Sequence, residues 1–447
     1  MESNKLSRRN FLRAAGMLSA GAALAACQPA ATPTPAANTA APAATAKPAA
    51  KPVELNLSVT DYFDSTKKVF EEKIFPDLKK TNPEITVKIN YTAWGRYNEE
   101  LTTAFAGGVP PDVMSGGAIF VPQFGQRDWT LPLDNYVNAA KEWDWQDFLA
   151  PLRDDVNYKG KVMAVPYLID TRTLWYRKDH LKEAGFSEPP ATWDDLRKVA
   201  IACTKKEGDK ITRSGFHFIP LASNWQNDFQ VYMALLAASQ GKLISDDLKK
   251  SMATEAPSIE TAEFMRKLVM EDKCALYPPF DDQGQLSAVT VGKASMMVGG
   301  AGTESIAKAN APDQLANLAA ALPPKNKAQA THVWVNKYFI AKPTKNPDPS
   351  WILLSHLTSK ANLELFCESL TTLPPRASLG NAKYLTDNLK TFAKAAQNAT
   401  VYPKYHRMVE VFRPMATALE AILRGQKSTM DAMKEAAAAI DKLLAES

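Results

Sequence analysis

From residue 53 onward the chain switches repeatedly between two periods of apolar and polar side chains. Val53-Glu54-Leu55-Asn56-Leu57-Ser58-Val59 alternates apolar and polar, the pattern of a strand with one face against a core. The alternation returns at Ile85-Thr86-Val87-Lys88-Ile89-Asn90-Tyr91. Between them residues 64–80 carry helical spacing, and 98–106 carry it again until Gly107-Gly108 and Pro110-Pro111 stop it. Asp112-Val113-Met114 predicts a third short strand. This βαβαβ rhythm predicts an α/β fold whose sheet is mainly parallel and covered by helices on both faces.

Farther on, two apolar segments at 162–165 and 174–176 precede a well-signalled helix over 192–205. Thr192 caps that helix, and Asp194 and Asp195 place negative charge at its positive end. Helices are expected over 228–239 and 259–271, strands over 293–298 and 333–341, and helices over 350–359 and 361–369. The last helix, 428–445, sets Met430, Met433, Ala437, Ile440 and Leu444 near helical spacing, which predicts one apolar face. There is no internal repeat.

The first 52 residues follow neither period. Lys5 and the block Ser7-Arg8-Arg9-Asn10-Phe11-Leu12-Arg13 come first, then small apolar residues from Ala14 to Ala26. That stretch is too short and too rich in Ala and Gly to span a bilayer, which needs about 20 strongly apolar residues. Arg8 and Arg9 lie in a block that resembles the twin-arginine export motif, which a receptor reads as an address. Leu24-Ala25-Ala26-Cys27 resembles a lipobox. Residues 1–26 are therefore expected to be a cleaved signal peptide, with Cys27 as the lipid-bearing first residue. Each buried CH₂ of an acyl chain contributes roughly 0.8 kcal/mol, so two or three chains hold a folded domain at a membrane without a spanning helix. Residues 28–52 are almost entirely Ala, Pro and Thr and read as a disordered tether.

Removing the signal leaves 49 basic against 47 acidic residues, a net charge of +2 that points away from nucleic acid. No later segment approaches 18 uninterrupted apolar residues. Beyond Cys27 stand Cys203, Cys274 and Cys367, an odd number that allows at most one internal disulfide and is expected to be three small buried thiols. His180, His217, His332, His356 and His406 lie at no metal-ligand spacing from a cysteine or from each other, so neither metal nor cofactor is expected. Gly-x-Ser-x-Gly, His-Glu-x-x-His and P-loop patterns are lacking. The pairs Asp154-Asp155 and Asp281-Asp282 read as solvated faces rather than as facing glycosidase acids.

The order of motifs in the body resembles the extracellular solute-binding proteins of ABC importers, in particular the sugar-binding group that includes maltose-binding protein. The matching blocks are Tyr91-x-x-Trp94-x-x-Tyr97 with Ala106-Gly107-Gly108-x-Pro110-Pro111-Asp112-Val113, then Tyr158-x-Gly160-Lys161-Val162-Met163-Ala164-Val165-Pro166 with Leu174-Trp175-Tyr176-Arg177-Lys178-Asp179. Pro190-Ala191-Thr192-Trp193-Asp194-Asp195-Leu196, Val291-Gly292-Lys293-Ala294-Ser295-Met296-Met297 and Leu373-Pro374-Pro375-Arg376 follow in family order. One departure stands out. Where many relatives carry Gly-Gly at a return crossing, this chain reads His332-Val333-Trp334-Val335-Asn336-Lys337-Tyr338.

The resemblance implies a two-lobed periplasmic-binding-protein fold (type II, maltose-binding-like) with a ligand cleft between lobes. Lobe one is expected over 53–169 and 338–395, and lobe two over 170–337 and 396–447. It implies a carbohydrate ligand, an ABC permease as partner, no enzymatic activity and a monomer anchored on the extracytoplasmic face of the membrane. Glycerol-phosphate esters, polyamines and iron chelates are alternative ligands; an exported hydrolase and a structural surface lipoprotein are alternatives of other classes.

Ligands of open α/β sheets bind beyond the carboxyl ends of strands. That rule selects Asp61, Tyr62, Trp94 and Gly117 from lobe one, and Trp225, Asp228, Gly300, Trp334 and Asn336 from lobe two and its return crossing. Asp170 and Arg172 come from the first crossing and Arg376 from the last motif. Sugars present hydroxyls at their edges and C–H groups on their faces, so carboxylates, amides and Arg suit the former and aromatic planes the latter. The family places an acidic contact at the crossing held here by Asp170. Arg172 either pairs with Asp170 or stands free for an acidic ligand. Trp193, at a helix start, reads as structural, and Trp143 and Trp145 lie away from strand ends.

Overall fold

The computed structural model describes residues 51–60, 62, 64–218, 226–281, 283 and 286–446. The first sheet holds β1 (Val53–Thr60), β2 (Ile85–Thr92), β3 (Val113–Gly116), β6 (Val165–Thr171), β12 (Thr331–Ile340) and β13 (Ala399–Thr400). β4 (Asn157–Tyr158) and β5 (Lys161–Val162) form a separate small hairpin. The second sheet runs β11-β7-β10-β9-β8, from β7 (Thr173–Arg177), β8 (Lys205–Glu207), β9 (Lys210–His217), β10 (Ala294–Gly299) and β11 (Leu318–Ala321).

The expectation of a mainly parallel sheet holds for β1, which pairs in parallel with both β2 and β3. It fails for β12, which runs antiparallel to β3 on one side and to β6 on the other. β12 is a strand that returns from the second sheet, so its direction is set by the crossing and not by a local βαβ unit. The register of β6 against β12 shifts between Asn336 and Lys337, where β6 carries the extra residue Tyr167. Such a bulge bends the strand and re-aims its side chains.

Only Arg172 separates β6 of the first sheet from β7 of the second. β12 starts beside β13 at Thr331 and His332, passes β6, and ends against β3. These are the crossing segments. One core packs β9 and β10 under the helices Gln226–Ala238, Met408–Leu423 and Thr429–Ala445. A second packs Leu55, Leu57 and Val59 of β1 against the helices Pro347–Leu357 and Lys360–Leu370. A third joins Ile169, Trp175, Met297, Val335 and Phe392, drawing on both sheets and on the helix Asp387–Ala396.

Local signals account for most element ends. Thr192 Oγ1 accepts from the Asp195 amide at 3.1 Å and Ser428 Oγ from the Asp431 amide at 3.1 Å. Caps of this kind contribute about 1 kcal/mol each. Met430, expected on the apolar face of the last helix, is 41% exposed, whereas Met433, Ala437, Ile440 and Leu444 are buried. It stands three residues before Met433 at the edge of the buried stripe. Cys203, Cys274 and Cys367 are free and buried, and burial raises the pKa of each thiol. Among the described residues no helix is long and apolar enough to cross a membrane, and no group of three or more His, Cys, Asp or Glu could hold a metal ion.

Candidate functional site

The helix expected at 98–106 begins four residues earlier and spans Trp94–Ala106. β2 ends at Thr92, Ala93 is extended, and no side chain caps the helix, so no cap residue marks this start. Trp94 is therefore the first helical residue. Tyr97, one turn on, locks the helix to the sheet: its hydroxyl donates to the Ser58 carbonyl at 2.8 Å and accepts from the Ser115 amide at 3.0 Å. Burial pushes the Tyr97 phenol up to about 12.

With its helix fixed, the Trp94 ring is 50% exposed and lies over Gly117, just beyond β3. A Cβ on Gly117 would sit 3.3 Å from the indole and 3.9 Å from Asn336 Oδ1. Glycine thus lets the edge of the indole approach the loop while Trp94 stays half-exposed. Asn336 and Trp334 are two residues apart on β12 and share a face of the strand.

Trp334 leads to the crossing. The Arg172 guanidinium lies 4.7 Å from the Trp334 ring centroid, and the Trp334 indole N–H donates to Tyr402 Oη at 3.0 Å. Arg172 Nη1 donates to Asp170 Oδ1 at 2.6 Å and Nη2 to Gln230 Oε1 at 2.5 Å. The Arg172 side chain is buried, but that of Asp170 remains 36% exposed. Gly300 closes the group, since a Cβ there would meet Arg172 Nη1 at 2.9 Å and Asp170 Oδ1 at 3.0 Å. A row therefore runs Trp94, Gly117, Asn336, Trp334, Arg172, Asp170, Gly300. It has an open aromatic face at one end and an internally neutralised ion pair at the other.

Other predicted residues fall elsewhere. Arg376 is buried away from the row: its guanidinium donates to the carbonyls of Thr358, Trp143 and Asp144, pairs with Asp147 at 3.3 Å, and lies 4.1 Å from the Phe148 ring centroid. It pins the scaffold of the first sheet. Tyr62 is half-buried, packed edge-on to Phe366 with its hydroxyl donating to Tyr167 Oη at 3.0 Å. Burial raises its pKa well above the usual phenol value. The ring is wedged in the core instead of lining the row. Arg8, Arg9, Cys27, Asp61 and Trp225 lie outside the described residues; Asp228 belongs to the helix Gln226–Ala238, and its side chain lies outside them too. Trp193 is buried and stacked on Phe264 at 4.1 Å, as its structural reading expected.

Gln230 and Tyr402 are the partners that sequence reasoning missed. They lie 58 and 68 residues from the groups they hold, and no local pattern marks them. His332 packs tilted against Tyr402 at 4.2 Å and is edge-on to Trp334 at 4.6 Å. Burial, then the Arg172 charge, lowers its pKa to about 3, so it is a neutral packing group at this crossing.

Two α/β sheets joined by crossing strands make a two-lobed fold of the maltose-binding-like class. The chain belongs to the bacterial extracellular solute-binding protein family, whose sequence profile matches residues 58–364. It is a binding protein and not an enzyme. A binding protein of Brucella abortus (strain 2308) is 23% identical over 398 residues, covering 88% of this chain and 93% of that protein. The maltodextrin-binding protein MdxE of Bacillus subtilis is 25% identical over 393 residues, covering 83% and 87%. In three dimensions the chain is similar to the sugar-binding protein MalE from Xanthomonas citri, with a TM-score of 0.77, 24% identity, and coverage of 88% of this chain and 98% of that one.

Proposed function

We propose that this chain is the solute-capturing component of an ABC importer and that its ligand is an uncharged carbohydrate, an oligosaccharide, held between the two lobes. The observation that carries this reading is the row from Trp94 to Gly300. The open face of Trp94 suits the C–H face of a sugar ring, and Asn336 and the exposed part of Asp170 suit its hydroxyls. Two Arg172 nitrogens are already engaged by Asp170 and Gln230, which weighs against a phosphate ester or acidic sugar. The sugar named for the B. subtilis relative supports the same class of ligand.

In this reading the lobes, 53–169 with 338–395 and 170–337 with 396–447, close about the crossings. Closure is favoured by the ligand because ligand-bridging contacts exist only in the closed state. Arg8 and Arg9 direct export, Cys27 carries the lipid, and residues 28–52 tether a monomeric receptor beside its permease at the outer face of the membrane.

A thermal-shift screen of neutral mono- and oligosaccharides, sugar phosphates and polyamines tests the reading. A ligand at 100 times its Kd adds roughly 2.7 kcal/mol of stability, a readily visible shift. Shifts with oligosaccharides support the proposal. A response confined to sugar phosphates or polyamines overturns it.

A further inference from the structure

Lys337 is fully buried on β12, one residue after Asn336 and on the opposite face of the strand. A buried ammonium is costly unless its hydrogens are taken up. Lys337 Nζ meets the Asp155 carboxylate in a short ion pair and the Ala118 carbonyl at 3.4 Å. Ala118 follows Gly117, the residue that carries the Trp94 ring. Asp155 ends the helix Ala150–Asp155, and its neighbour Asp154 receives Lys404 through the backbone carbonyl at 2.6 Å and the carboxylate at 3.4 Å. Lys404 lies between Tyr402 and Tyr405, both part of the core under the second sheet.

We propose that Lys337 is a positioning residue for ligand capture: it ties the crossing strand to the cleft loop at Gly117–Ala118 and to the helix end that contacts Lys404. The loop beneath Trp94 is thereby held by the strand that joins the lobes. Packing alone does not require the charge, because a methionine–leucine pair of similar volume would fill the same space, often at no loss of stability. The feature that such a pair lacks is the reach to the Ala118 carbonyl. The proposal rests on the reading of the row as the ligand site.

The test is hydrogen exchange on ligand-free protein, followed over a peptide covering 116–126. That peptide includes the Phe120 amide, which donates to the Gly117 carbonyl at 3.2 Å. Two variants are compared with the parent: the apolar pair K337M/D155L, and K337Q, whose side chain is one bond shorter and still donates to Asp155. In whichever variant folds, with a melting temperature near that of the parent, exchange at Phe120 should rise about tenfold while peptides from the second sheet stay unchanged. Parent-like exchange over 116–126 in a folded variant overturns the proposal. So does loosening spread evenly over the protein, because that is what a merely structural role produces. Exchange is read without ligand, so a failed sugar screen and a failed role for Lys337 are separate outcomes.

Discussion

Arg172 and Arg376 are both buried, both rest against aromatic rings and both pair with an aspartate, yet they do different work. Arg376 donates mostly to backbone carbonyls, those of Thr358, Trp143 and Asp144, all on the scaffold of the first sheet. Arg172 donates chiefly to side chains, those of Asp170 and Gln230, and lies over Trp334. Carbonyls are fixed by the fold, so a guanidinium bound to several of them is a pin. The side chains that Arg172 holds meet at a crossing, Gln230 from 58 residues away, where a ligand can gain or lose contacts. Residue type and burial do not distinguish the two arginines. The kind of oxygen they face does.

Removing the pin should have the largest effect. Arg376→Met takes the donor from the Thr358, Trp143 and Asp144 carbonyls and the charge partner from Asp147, whose pKa is lowered by its bonds to Ser378 and Arg376 against the upward pull of burial. A loss of about 3–5 kcal/mol is expected by calorimetry, with parent-like affinity in the fraction that remains folded. A clear affinity change at unchanged stability would erase the distinction between the two arginines.

Acid should act next. Burial lowers His180 to about 4 and His332 to about 3, below the ordinary histidine value of 6.5. Between these values the unfolded chain binds more protons, so stability is present above pH 6.5 and is lost as pH falls toward 4. The loss approaches about 3 kcal/mol per histidine. His332→Gln should flatten part of this slope in melting curves, and an unchanged slope would remove His332 from the account.

Two smaller effects separate the ends of the row. Trp94→Ala should weaken sugar binding about tenfold with little change in melting temperature, because the ring is half-exposed without ligand. Lys404→Met should cost less than about 1 kcal/mol, and this difference should fade in high salt, since the Asp154 side chain is 74% exposed. A salt-independent loss would mean that the pair is more than a surface contact.

Much of the scaffold was legible in the sequence. Alternation placed β1 and β2, a strand was expected where most of β12 lies, and Thr192 marked its helix start. The antiparallel direction of β12 was not legible, because orientation belongs to the crossing and leaves no local period. Trp94 was selected by its place beyond a strand end, and the uncapped helix start that follows β2 leaves it half-exposed. Of the predicted site residues, Trp94, Gly117, Asn336, Trp334, Arg172, Asp170 and Gly300 come together. Arg376 was misplaced, since a proline-rich motif with a basic residue looks the same in sequence whether it faces ligand or carbonyls. Gln230 and Tyr402 could not be found because their role exists only once distant segments meet.

The most direct test of the central claim is a calorimetric titration of the parent and of Trp94→Ala/Asp170→Asn with the best oligosaccharide from the thermal-shift screen. One sugar per parent molecule is predicted, with no measurable binding by the double variant at concentrations that saturate the parent, while both proteins melt cooperatively. A parent-like isotherm from the double variant would contradict the assignment of the ligand to this row.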